Sequence, residues 1–417
     1  MTPEPDPLHD STGPDRFEHL RRTCATAGPE AMLEALAVSL AERRRWHALF
    51  DARLIQARVA AGLPPVGSPG DIPADARQGF DERSLAACRE VGWPLLDEGQ
   101  VAAAWMYLRA AADPAEVSAR LEPLARTLAT RADGDDEASS RALQEILGIA
   151  LWEGVDPALG ISLMLRTQGT CNAITTYEQA VSRLPAARQR PAAATLVAHL
   201  HAEILTNLAH DLEHRGIILP APPQTLPALL AAAGEGEARL YADVSHVQSV
   251  LRIARICDDE PTIRRAWELA TYASRLPADV VYPGEPPFEN VGQASRLFYG
   301  SQLGIDVEQA VRFFRTAAAA AEPGHGGLPS DTLVLLLARL RRPAEALHAA
   351  IATPRDDGMP SPLQTAGALP SLVDLAAASG EWELLRRASG DRGDEVTFAA
   401  TLVAERQKNQ ANRGPQP

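Results

Sequence analysis

Cysteine is scarce and scattered. The 417-residue chain has four, at Cys24, Cys88, Cys171 and Cys257, and no two form a Cys-x-x-Cys pair. That excludes a zinc ribbon and a redox dithiol, and leaves four reduced, small residues suited to helix cores. Aromatic residues make up only 5% of the chain while alanine and leucine abound. That balance disfavours a β-sandwich or barrel, whose strands are built from aromatic and β-branched side chains. β-Branched runs are short and nothing alternates strongly at period two. No run of 18 apolar residues occurs, so no membrane-spanning helix is expected. Positive charge is in the minority, with 40 Lys and Arg against 54 Asp and Glu and a formal net charge of −14. Neither nucleic acid nor an anionic membrane is therefore expected as the main partner, and Arg43-Arg44-Arg45 is too short a basic run to reverse that. The Pro-rich start lacks the charged-then-apolar layout of a secretory signal, which makes a cytoplasmic protein the expectation. Gly324–Gly327 lacks the following Lys-Ser/Thr of a phosphate loop and reads as a turn.

What is present is helical periodicity. About sixteen to eighteen amphipathic segments are separated by short Gly, Pro and Asp breaks, among them Gly28-Pro29, the step from Gly92 to Pro94, Asp97-Glu98-Gly99, Gly169-Thr170-Cys171-Asn172 and Gly304-Ile305-Asp306. Residues 1–15 and 407–417 read as disordered polar tails. Residues 16–130 form an N-terminal helical region, 141–290 a central one and 291–406 a C-terminal one, with the acidic stretch 131–140 as a linker. The fold class is all-α.

Several breaks share a grammar. In LLDEGQVAAAWMYLRAAAD a helix ends at Gly99 and Ala104 follows five residues later. GIDVEQAVRFFRTAAAAA, after Gly304, keeps the same plan of a glycine followed by small residues. Ala346 stands five after Arg341, and SLVDLAAASGEWELLRRA pairs Gly380 with Leu385. Over residues 99–112 and 299–388 the chain resembles tetratricopeptide-like helical repeat proteins. The units depart from the family in length, 39 residues from Arg341 to Gly380 against the family's 34, and most of its Trp, Tyr and Pro positions are absent. The resemblance implies stacked helical hairpins forming a tetratricopeptide-like α-solenoid, and a protein or peptide interaction scaffold as the function.

Chemistry concentrates between Thr195 and Cys257. On the helix Thr195–Gly216, Val197, Leu200, Ile204, Leu205, Leu208 and Leu212 gather on one side. His199, Glu203, Asn207, His210 and His214 gather on the other, and His201 falls inside the apolar stripe. On Ala238–Cys257 the stripe is Leu240, Val247, Val250, Leu251, Ile253, Ala254 and Cys257, with Ser245, Gln248, Arg252 and Arg255 opposite. Asp243 lies at the centre of that stripe and His246 at its edge. A buried carboxylate needs a partner, and His201 or His246 could supply it. Two imidazoles and a carboxylate suit a divalent metal such as zinc, iron or manganese; without metal, Asp243 would orient a histidine base. The second expected function is thus a metal-dependent or His/Asp-based enzyme, a hydrolase at its simplest, with its site between helices 195–216 and 238–257. The plainer alternative is a hydrogen-bonded core set that fixes helix register.

His210-Asp211-Leu212-Glu213-His214 resembles the metal-binding stretch of cyclic-nucleotide phosphodiesterases and HD-type phosphohydrolases. Those families need an upstream histidine on a preceding helix, which has no counterpart here, so a solvated face of i,i+4 pairs is expected. Cys171 has no flanking signature of a catalytic thiol and is expected buried. Val281–Phe288 (VYPGEPPF) reads as a packed crossover or a lid, the crossover being favoured.

Overall fold

Positive-φ glycines mark many of the helix ends in this alanine- and leucine-rich chain, because glycine takes the left-handed turn that stops a helix. A computed structural model describes residues 13–132, 136–219, 221–222, 224–234, 244–277, 281–321, 327–352 and 360–412. Among the described residues there are nineteen α-helices and no strand, and no helix is long and apolar enough to cross a membrane. The chain divides into two compact units, Met1–Asp156 and Pro157–Pro417.

The first unit holds α1 (Gly13–Glu42), α2 (Trp46–Ala60), α3 (Ala74–Asp97), α4 (Val101–Ala111), α5 (Pro114–Ala132) and α6 (Glu137–Leu151). The expected break at Gly28-Pro29 is present inside α1, where Gly28 leaves helical geometry. The break expected before Pro94 is absent, and α3 runs through Pro94 to Asp97. Leu49, Ala52, Val91, Leu95, Val101, Ala104, Leu108, Leu121 and Ile146 are buried in this unit's core.

The second unit holds α7 (Pro157–Thr176), α8 (Ala186–His214), α9 (Leu226–Ala233), α10 (Val244–Ile253), α11 (Glu260–Ala273), α12 (Val291–Gln302) and α13 (Val307–Ala320). After these come α14 (Leu328–Arg339), α15 (Pro343–Ala352), α16 (Pro362–Thr365), α17 (Leu372–Ser379), α18 (Trp382–Arg392) and α19 (Glu395–Asn412). The last helix carries the chain past Gln407, where a polar tail was expected; residues 1–12 and 413–417 lie outside the described residues. Side-chain caps on Asp259, Asn290 and Ser371 start α11, α12 and α17 by accepting the N–H three residues on, which satisfies a donor the helix cannot. The few aromatics are concentrated: Phe288, Phe298 and Phe314 meet pairwise with ring centroids 5.7–6.0 Å apart. Tyr299, beside Phe298, donates to the Leu251 carbonyl at 2.5 Å. Phe288, buried next to Pro287, pins the end of the Val281–Phe288 segment into this cluster, while Tyr282, Pro283, Glu285 and Pro286 are exposed.

One turn recurs. Arg44, Gly99, Arg341 and Gly380 each end a helix in the left-handed region, with φ of 53°, 78°, 58° and 84°. At the first three, the next N–H bonds back to the carbonyl five residues earlier, 2.9 Å each time. The residues that open the following helices, Arg45, Gln100 and Glu381, share φ near −90 to −82° and ψ of 54–64°. The fifth residue after the left-handed one is fully enclosed: Leu49, Ala104 and Ala346 are 0% exposed and Leu385 is 1%. A connection this short returns the chain as a helical hairpin, and that fifth residue is where the second helix first meets the first. Gly304 leads the same turn with one residue more, and Ala310 is the enclosed position.

Candidate functional site

Helix α8 presents the two faces its sequence predicts. Val197, Leu200, Ile204, Leu208 and Leu212 are buried and Leu205 is half-buried, while Glu203, Asn207, His210 and His214 are exposed. His210 and His214 face each other at 3.1 Å between their Nε2 atoms on that open side, next to the Asp211–Arg215 pair. The HD-like stretch is therefore a solvated face. His199, half-buried, meets Thr170 Oγ1 at 3.2 Å.

His201 sits in the apolar stripe with its side chain 14% exposed. Of its expected companions, Asp243 lies outside the described residues and His246 sits half-buried on α10. The partner that the structure gives His201 is a different one. Its Nε2 lies 2.9 Å from Oε2 of Glu268 on α11, a carboxylate whose side chain is 10% exposed. The same oxygen accepts the Leu226 N–H, the first of α9, at 3.0 Å. Every donor at that helix start is then satisfied. Pro227 has none, the Ala228 N–H reaches the Thr225 hydroxyl at 3.3 Å, and Leu229 N–H reaches the Thr225 carbonyl at 3.0 Å. A carboxylate at a helix N-terminus also gains from the helix dipole.

Among the described residues no group of three His, Cys, Asp or Glu side chains is placed to hold a metal ion. Asp243 is not one of those residues, so the full set of His201, Asp243 and His246 is not on view. A metal at His201 would have to use Nδ1 or displace Glu268, since Nε2 already faces a carboxylate.

Arg255 departs from its expected solvent face. The α-helix ends at Ile253 and tightens to a 3₁₀ turn over Ala254–Ile256, which advances about 120° per residue instead of 100°. Arg255 is thereby buried, 8% exposed, with its guanidinium carbon 3.5 Å from the centre of the Phe288 ring and its Nε without a hydrogen-bond partner. Burial pushes this guanidinium down, to about 10. Arg339 is half-buried and donates to the Arg255 carbonyl at 2.9 Å and to Gln302 at 3.2 Å. The cysteines depart as well. Only Cys257 is buried, and burial pushes its thiol up to about 12. Cys88 is half-buried, and Cys24 and Cys171 are exposed free thiols.

In the first unit a groove of about 670 Å³ opens beside the Gly99 turn. Leu96, Leu124, Leu128 and Ala142 line it, with Asp97, Asp136, Arg120 and Arg131 also on its walls. Arg120 lies 4.4 Å from the centre of the Trp93 ring and 3.3 Å from Asp97. This volume is in the range of ligand-binding clefts.

Sequence reasoning missed Glu268 and Arg275. A signal for the first existed: Glu268 sits four residues before the buried Tyr272 and beside Leu269, at the edge of the α11 stripe. Comparison with known protein families, curated proteins and solved structures returns no match.

Proposed function

We propose that the chain is a helical-hairpin scaffold that binds a protein or peptide partner. The recurring turn carries this reading: four hairpins reuse one left-handed residue and one enclosed position five residues later. Outside the central region, where α8 packs on α11 and α7 on α10, contacts run mainly between chain neighbours and next-but-one neighbours, as in α3–α4, α4–α6, α13–α14, α15–α17 and α17–α19. Arrays of hairpins with such nearest-neighbour packing expose long grooves, and the groove beside Gly99 offers apolar walls with charges of both signs, a surface suited to a peptide. The test is selection from a displayed random-peptide library on the full chain and on Leu124→Arg, which places a charge in the groove. Peptides enriched on the wild type and lost on the variant support the function. Absence of enrichment on either protein, or enrichment indifferent to the substitution, removes the groove from consideration.

A further inference from the structure

Glu268 on α11 and Arg275, two residues past the end of that helix, grip both ends of α9. Glu268 takes the Leu226 N–H at the start. Seven residues further along the chain, Arg275 donates to the carbonyls of Leu230 and Gly234, 3.1 Å each, at the end. These are backbone groups that a helix leaves without internal partners. The negative group sits at the N-terminus and the positive group at the C-terminus, the arrangement that stabilises a helix dipole at both poles. Between the clamps the contact is apolar and comes from Leu226, Leu229 and Leu230, all fully buried, at spacing i, i+3, i+4. The other α9 residues, Pro227 and four alanines, are exposed or half-buried. The groove therefore reads two helix ends and three leucines, the pattern of helix-in-groove recognition. An eight-residue helix does not hold itself together in water, so α9 is helical because the groove makes it so. It packs chiefly on α8 and α11.

We infer that the α8–α11 groove is a recognition site for a short partner helix with leucines at i, i+3 and i+4, and that α9 is its built-in occupant, displaced when such a partner binds. This rests on the scaffold reading for the class of partner but uses a different surface from the groove beside Gly99.

The experiment uses a fluorescent peptide of residues 222–236 and the full chain. Leu229→Asp with Leu230→Asp in the protein empties the groove. The emptied variant is expected to bind the peptide at least about tenfold more tightly than the wild type, whose own α9 competes. Adding Glu268→Gln or Arg275→Ala to it should weaken binding about fivefold or more, the loss of one clamp. A folded variant that fails to bind the peptide, or binding indifferent to both clamp substitutions, overturns the proposal. Should the emptied variant not fold, hydrogen exchange on the wild type decides. Amides of α9 exchanging at least about tenfold faster than the buried amides of α8 and α11 support release, and equal protection makes α9 permanent core and overturns it. Peptide selection by the groove beside Gly99 reads the scaffold function separately, so the two can fail independently.

Discussion

Gly292→Ala should damage the second unit far beyond what one methyl group suggests. Gly292 opens α12 directly against the end of α11. A Cβ there would lie 2.6 Å from the Ser274 nitrogen, 2.7 Å from the Ala273 carbonyl carbon and 2.8 Å from the Ser274 Cα. All three are backbone atoms, so no side chain can rotate away, and the two helices must separate. Overpacking against movable side chains costs about 1–3 kcal/mol, and a backbone clash belongs at the top of that range. Arg275 follows the displaced residues immediately, and weakening its two bonds to the end of α9 adds about 1 kcal/mol. The expected loss is about 3–4 kcal/mol on these grounds. Gly390→Ala in α18 is the control in the same unit: it is exposed, helical, and nothing lies within 4 Å of its added Cβ. It should gain about 0.5–1 kcal/mol from helix propensity alone. Urea unfolding read by circular dichroism, with hydrogen exchange to place the change in the second unit, checks both. A Gly292→Ala variant within about 1 kcal/mol of the wild type, or shifts of the same sign in the two variants, would refute the close approach of α11 and α12.

Arg255→Met should be neutral or stabilising by about 1–2 kcal/mol in urea unfolding, because it removes a buried cation whose Nε has no partner; a loss above about 2 kcal/mol would mean that the Phe288 contact outweighs desolvation. In a thiol-reagent time course at pH 8, Cys24 and Cys171 should react first, Cys88 more slowly, and Cys257 only after denaturation, and early labelling of Cys257 would contradict its burial. Hydrogen bonding from Arg89 holds the Glu116 carboxyl at about 2, below its ordinary 4.5. Since the folded value is the lower one, the pair's contribution is present above pH 4.5 and lost as pH falls towards 2. A ¹³C-detected glutamate titration should show one carboxyl titrating near 2 that returns to the ordinary range in Arg89→Gln, and an unshifted wild-type signal would deny the pair.

Helix identity was legible because it depends on neighbours along the chain. Counting 100° per residue placed Val197, Leu200, Ile204, Leu208 and Leu212 inside and His210 and His214 outside, and α8 has those faces. Gly28, Gly169, Gly304 and Gly380 marked the breaks because a left-handed residue stops a helix by local geometry alone. Pro94 was misread for a related reason: proline disfavours a helix interior, but the packing of α3 on α2 and α4 carries the helix through it. The turns at Arg44 and Arg341 show the same override, since a side chain there pays a steric cost that glycine would not.

Partners across helices were not legible, because they depend on where a distant segment is docked. Periodicity showed that His201 is inside the stripe and must be satisfied, but the group that satisfies it is 67 residues away. Asp243 is the nearer carboxylate in sequence and the more conspicuous one, being centred on its own stripe. Glu268, at the edge of a stripe, became the partner through the placement of α9, whose first N–H needs an acceptor at the same point. That dependence runs in one direction: a helix of eight residues cannot choose its surroundings, so the groove's polar ends must already be fixed on a longer helix. α11 fulfils that condition by carrying Glu268 and by leading directly into Arg275. Among the described residues, the partner of His201 is thus also the group that holds α9 by its first N–H.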